Sequence, residues 1–436
     1  PPSAARLGRM GAPLAQPWPA EARHLLVRLL AGSGLLGVWE TLEETGALDA
    51  LLPEWERIRL LPHASAIHRF TVDRHVIETC LEAGRLIRQV TRPDLLLVAA
   101  LLHDIGKGGE GSHSIEGEAI ARRVSRRMGF GEADAAEIAR LVRWHLLLGE
   151  VATTRDLEDP ATASLVAERL GSEETLGLLR TLTEADARAA SSQAWTAWRA
   201  RLIDELVRRV RPLLADSGGV PIADPPRRRV VPDPVRRSVG AAGPALVEAD
   251  RPEGSPPLIT VTPSEEGALV RVSAPDRVGL LADIAAALAW QRCGIRSARA
   301  WSEGELGASE WQLDDAEPDA RLLRHHFEGI VAGRLDPGAR LLRPTGGGLP
   351  PLVLVHPEAS ARATVIEVRA ADRQGLLYAV LSALTRARLA ISSAHITTIG
   401  PQAVDVFYVQ EPGGESLSAR RASAAADAIR AALVGS

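Results

Sequence analysis

The residues able to do chemistry gather in the first half of this 436-residue chain. His75 lies in a run whose positions Val72, Val76, Thr79 and Ala83 share one helical face, so its imidazole points inward with them. The aliphatic run from Leu95 to Leu102 is too apolar for a surface helix and ends in His103-Asp104, followed by Ile105-Gly106-Lys107-Gly108-Gly109. His145 continues a stripe with Ile138, Leu141 and Val142, and Asp186 continues one with Leu179 and Leu182. A carboxylate on an apolar face costs several kcal/mol unless a cation or hydrogen bonds compensate it; one cation would satisfy both Asp104 and Asp186. Imidazoles with carboxylates and no thiolate suit a divalent ion such as Mg, Mn or Fe, in a catalytic site with open positions. Lys107 stands on a glycine-rich loop where an ammonium can meet a phosphate oxygen and the backbone can approach a ligand closely.

The elements that must position these groups follow from periodicity. From about Glu21 to Val210 apolar residues recur at three and four, broken by Pro53, Pro62, Gly129 to Gly131 and Pro160, which predicts an all-α domain over 21–211 after an N-terminal segment, 1–20. Ten prolines with Gly218, Gly219 and Arg227 to Arg229 predict a linker over 212–257. Beyond it strands mix with helices, and a repeat of period 96 appears: Ala274, Asp276, Arg277, Gly279, Leu280 and Leu281 recur as Ala370, Asp372, Arg373, Gly375, Leu376 and Leu377. Ile295, Ser297 and Ala298 likewise recur as Ile391, Ser393 and Ala394. Two modules, 258–345 and 350–436, should each run strand, helix, two strands and a second helix, with a closing strand clear only in the first. Asp276 and Asp372 stand where they can cap a helix, and the free amides of that helix end can equally receive a carboxylate ligand.

Composition narrows the function. With 51 basic and 55 acidic residues the net charge is -4, so nothing favours nucleic acid, and no apolar stretch reaches the 18 or more residues of a membrane span. Cys80 and Cys293 lack metal-ligand spacing and are expected as reduced, buried thiols suited to a cytoplasmic protein. Lys107 is the sole lysine and asparagine is absent, a coding bias that makes the abundance of arginine uninformative.

A His-Asp pair with a His on an earlier helix and an Asp on a later one resembles the HD superfamily of metal-dependent phosphohydrolases. The resemblance implies His75, His103, Asp104 and Asp186 as ligands, with His113 and His145 as the extra pair of two-metal members. It implies a metal-activated water attacking phosphorus, with His103, Asp104 and Lys107 as catalytic residues. The two repeats look like ACT domains, ferredoxin-like modules that pair side by side and bind amino acids near Asp276, Arg277, Gly279, Leu280 and Asp372, Arg373, Gly375, Leu376. The combination, with Phe70-Thr71-Val72-Asp73-Arg74-His75, His103-Asp104-Ile105-Gly106-Lys107-Gly108 and Glu184-Ala185-Asp186-Ala187-Arg188-Ala189, resembles the C-terminal portion of the PII uridylyltransferase/uridylyl-removing family. That family implies removal of a UMP or AMP group from PII signalling protein, under control by glutamine. Gly32-Ser33, Gly111-Ser112, Gly171-Ser172 and Gly254-Ser255 lack the paired acidic residues of a nucleotidyltransferase, so attachment of UMP is not expected from this chain.

Three other functions share parts of the pattern: a guanosine alarmone hydrolase, a cyclic-dinucleotide phosphodiesterase, and a non-catalytic amino-acid-sensing regulator. The tandem repeat and the His-Asp-Ile-Gly-Lys loop weigh against the first, the missing Gly-Tyr-Pro element against the second, and bound divalent metal would exclude the third.

Overall fold

The computed structural model describes residues 14–62, 70–109, 111–191, 194–215, 257–264, 267–303, 305–314, 318–341, 350–356, 359–360, 362–399 and 402–434. Most of the N-terminal segment and of the proline-rich linker, including Arg227 to Arg229, lies outside them. The chain forms two compact units, Pro1–Ala152 with Ala163–Arg228, and Thr153–Thr162 with Arg229–Ser436. The short stretch Thr153–Thr162 thus groups with the second unit, although its sequence lies inside the expected all-α domain.

The helical unit contains α1 (Ala20–Leu30), α2 (Leu35–Glu44), α3 (Ala47–Leu51), α4 (Val72–Leu86), α5 (Pro93–Leu102), α6 (His113–Arg127) and α7 (Glu132–Trp144). It continues through α8 (Leu147–Thr154), α9 (Pro160–Leu170), α10 (Glu173–Ala190) and α11 (Ala197–Ala215). Proline at its first position suits the start of α5, since that amide has no partner inside a helix, and every residue from Leu95 to Leu102 is buried. Such a helix, apolar all round, has to run through the middle of the unit, and α4, α7 and α10 pack against it. Ser172 caps α10, its hydroxyl accepting from the Thr175 amide. The final helix runs past the expected end at Val210 to Ala215, with Pro212 inside it. A proline this near the end removes a backbone bond where the helix has few left to lose.

The second unit is built on one eight-stranded sheet, with order β1-β2-β4-β3-β7-β8-β6-β5. The first copy comprises β1 (Leu258–Ser264), β2 (Gly267–Pro275), α12 (Leu280–Trp290), β3 (Ile295–Glu303), β4 (Leu306–Leu313), α13 (Ala320–Val331) and α14 (Pro337–Leu341). The second comprises β5 (Leu352–His356), β6 (Thr364–Ala371), α15 (Leu376–Arg386), β7 (Ala390–Ile399), β8 (Gln402–Gln410) and α16 (Ala419–Val434). Each copy therefore opens with an edge strand that the expected pattern lacked. The strand after α14, Leu352–His356, pairs with β6 of the second copy instead of closing the first. All pairs are antiparallel, and β3 joins β7 through Arg299 opposite His395. Those positions are 96 apart, the repeat period, so equivalent residues face each other and the copies sit side by side about a local twofold axis. A shared core of α12, α15, Trp311, Phe407 and their neighbours covers the sheet.

Cys80 and Cys293 are free and buried, and burial pushes the Cys293 thiol up to about 11. Among the described residues no single helix is long and apolar enough to cross a membrane.

Candidate functional site

Four histidines and two aspartates converge where α4, α5, α6, α7 and α10 meet. His75 occupies the first turn of α4, His103 follows the last residue of α5, His113 opens α6, His145 follows α7, and Asp186 comes from the last turn of α10. Their rings form a chain: His75 to His103 5.3 Å, His103 to His145 5.3 Å, and His145 to His113 5.5 Å between centroids. The possible donor atoms fall into two triads, His75/His103/Asp186 and Asp104/His113/His145, with separations within 4.8 Å in each. Asp104 faces both: its Oδ2 lies 3.4 Å from His103 Nε2 and its Oδ1 lies 3.7 Å from His145 Nε2. All six expected ligands are brought together. His113, whose Gly/Ser surroundings had left a solvent-exposed loop as an alternative, starts a helix instead and turns its Nε2 into the protein.

Backbone carbonyls set the ring orientations. His103 Nδ1 donates to Ala100 O at 2.9 Å and His145 Nδ1 donates to Val142 O at 2.8 Å, so both present Nε2 to the cluster. His75 Nε2 donates to Asp186 Oδ1 at 2.9 Å, and the Thr79 hydroxyl, one turn on, donates to His75 O.

Electrostatics match a cation-binding centre. Burial disfavours charge on His103, yet Asp104 and Asp186 overcome it and hold the imidazole up to about 9. Burial likewise opposes ionisation of both carboxyls, but His103, Lys107 and His145 drive Asp104 well below the usual range, and His75 and His103 do the same for Asp186. Burial pushes His145 down to about 4, which keeps it neutral as a ligand must be. The Nε2 atoms of His103 and His113 are buried with no hydrogen-bond partner among the described residues, which fits them to hold a cation. Three donors per triad with both nitrogen and oxygen fit one divalent ion each.

The loop after Asp104 works differently from its glycine-rich appearance. A Cβ on Gly106 would lie 2.0 Å from His113 O and 2.5 Å from Gly117 N, so its missing side chain admits the first turns of α6 against the loop. The close approach is to the chain's own backbone, and it delivers His113. Lys107 donates from Nζ to Asp104 Oδ2 at 2.7 Å.

In the strand-rich unit the repeated loops diverge. Gly279 (φ +93°) and Gly375 (φ +81°) are themselves the N-caps of α12 and α15, and no side chain caps either helix. The expected capping by Asp276 and Asp372 is therefore corrected: a left-handed glycine occupies the cap and leaves each aspartate three residues upstream. At the first loop a cavity of about 360 Å³ opens, lined from both copies by Asp276, Gly279, Trp301, Ser309, Ser392 and Gln410 among others. At the second loop Leu341, from α14, packs so closely that a Cβ on Gly375 would stand 2.7 Å from its carbonyl oxygen. Sequence reasoning missed Leu341 and Arg199, which only packing between distant segments brings to these sites.

Comparison with known proteins agrees with this geometry. Residues 72–191 match the HD domain model, and this stretch, which carries all six candidate ligands, is an HD domain. Over nearly its whole length the chain is homologous to the C-terminal portion of bifunctional uridylyltransferase/uridylyl-removing enzymes. The relative from Streptomyces coelicolor is 41% identical, over 98% of this chain and 56% of the relative. One from Mycobacterium tuberculosis is 37% identical over 96% and 53%, and one from Gluconobacter oxydans is 35% identical over 85% and 45%. The chain thus spans about half the length of the curated relatives it matches.

Proposed function

We propose that the helical unit is a metal-dependent phosphodiesterase that removes a nucleotidyl group, UMP or AMP, from a tyrosine of PII signalling protein in the cytoplasm. The two triads, with Asp104 of the second lying 3.4 Å from His103 of the first, carry this proposal. His75, His103 and Asp186 would hold one divalent ion, Mg, Mn or Fe, and Asp104, His113 and His145 a second. Such ions polarise phosphoryl oxygens and lower the pKa of water towards about 7. The chain's own contribution is orientation: Ala100 O and Val142 O fix two imidazoles, and Lys107 holds Asp104. In the hydrolysis, water oxygen bonds to phosphorus, the bond from phosphorus to the tyrosyl oxygen breaks, and that oxygen takes up a proton.

The same proposal gives the strand-rich unit the role of an ACT pair sensing glutamine. The first loop supports it with a cavity large enough for an amino acid, lined by Asp276 and by the start of α12 at Leu280. Asp372, Arg373, Gly375 and Leu376 form the corresponding loop, over which Leu341 lies. Incubation with uridylylated and adenylylated PII, in Mn or Mg and with or without glutamine, tests both parts. Release of a nucleoside monophosphate that responds to glutamine is expected. Pyrophosphate release from a guanosine alarmone, or a linear dinucleotide from a cyclic one, with no release from PII, would overturn the assignment.

A further inference from the structure

Arg199 stands in the first turn of α11, where the Thr196 hydroxyl accepts from its amide at 3.1 Å and anchors the helix start. Its side chain extends into the helical unit until Nη2 lies 2.9 Å from where a Cβ on Gly149 would be, so glycine at 149 makes room for it. Among the described residues the buried Nε has no hydrogen-bond partner and no carboxylate pairs with the guanidinium, while the residue as a whole is half-buried. Two carboxylates act on it through space, Asp186 of the first triad and Glu150, five residues beyond His145.

Arg199 is half-buried with its Nε sealed from water, and a cation held this way without a carboxylate partner favours an anion that comes to meet it. Lys107, the other cation beside the centre, is already held by Asp104. A divalent ion on Asp186 would cancel the negative field that Arg199 now feels and make an added anion at the guanidinium more favourable still. The planar fork of an arginine fits two oxygens of one phosphoryl group.

We propose that Arg199 binds the phosphoryl oxygens of the nucleotidyl group, as a substrate and product contact of the centre. This rests on the phosphodiesterase proposal and names the group that receives the phosphate. The test uses the full chain, with UMP and inorganic phosphate as probes in titration calorimetry, and with metal content and melting temperature measured alongside. Arg199→Gln should weaken UMP binding about 10–100-fold, as expected for loss of a charge-assisted pair, while metal content stays at the wild-type value. Arg199→Lys should recover part of the loss, because one ammonium replaces the fork. Because Arg199 is only half-buried and makes no ion pair among the described residues, Arg199→Gln should melt close to the wild-type temperature. UMP binding unchanged in Arg199→Gln overturns the inference, as does loss of UMP and metal together with a lowered melting temperature, which would make Arg199 a structural support. If the wild type binds phosphate through Arg199 yet releases no nucleotide from modified PII, the phosphodiesterase proposal fails and the anion contact stands. If the wild type binds neither probe, the inference fails.

Discussion

The helical centre and the repeated loops solve opposite problems. The centre crowds four imidazoles and two carboxylates into a buried space where each group fixes the charge of the next, and the ligands come from the ends and inner faces of five tightly packed helices. The first loop of the repeat opens a cavity with Gly279, Gly307 and Gly414 in its lining. The second loop starts from nearly the same residues and is covered by Leu341. Charge makes the centre depend on each ligand, whereas shape lets a duplicated site open or close through one side chain brought from elsewhere.

The largest effect should come from the centre. His103→Ala or Asp104→Ala should reduce nucleotide release from modified PII beyond the 10–100-fold that loss of an outer partner typically produces, with glutamine binding intact in calorimetry. Equal loss of glutamine binding would show the two regions are not separable in this way.

Leu341→Ala tests the divergence of the loops. Removing a fully packed leucine should destabilise the strand-rich unit by about 2–5 kcal/mol in denaturant unfolding, and should uncover space at Gly375. Glutamine stoichiometry should be one per chain in the wild type and rise in this variant. Gly279→Val, which forces a branched side chain into a left-handed position beside Thr385, should abolish the glutamine response without changing metal content. A wild-type stoichiometry of two would remove the contrast between copies.

Asp405 sharpens the same contrast at smaller scale. It is the repeat equivalent of Ser309, which lines the first cavity, and burial followed by the nearby Asp372 pushes its carboxyl from 3.8 up to about 8. The folded chain keeps this proton through a range where the unfolded chain has released it. Stability is therefore full below about 4 and falls as pH rises towards 8. Asp405→Asn should flatten that profile and gain about 1–3 kcal/mol near pH 8 relative to the wild type, measured by urea unfolding across pH. A wild-type profile already flat between those values would show that Asp405 is ionised in the fold. The smallest effect belongs at the surface: Arg57→Ala, which breaks the 2.8 Å pair with Glu116, should change stability by less than about 1 kcal/mol and leave metal binding unchanged.

Much of the centre was legible because burial of polar groups leaves a trace in a linear pattern. A carboxylate at the end of an aliphatic run, as at Asp104, needs a cation or hydrogen bonds to compensate it, and His75, His145 and Asp186 each sat on an apolar stripe. His113 was ambiguous because Gly111 and Ser112 fit a loop and a helix start equally well. Arg199 carried no trace: in a chain whose basic residues are almost all arginine, one more at the start of a helix looks like any solvated residue.

The pattern of apolar spacing, the His-Asp pair and the 96-residue period were enough to establish a helical domain with a metal centre followed by a duplicated strand-rich module, since these depend on periodicity and on residue type. Tertiary structure alone decided that Gly106 receives α6, that Leu341 covers one loop and leaves the other open, that β5 joins the second copy, and that the half-buried Arg199 comes within the electrostatic reach of Asp186. Each of these is a contact between segments distant along the chain, and such contacts depend on packing distance and on which groups find a partner, neither of which is written in local spacing.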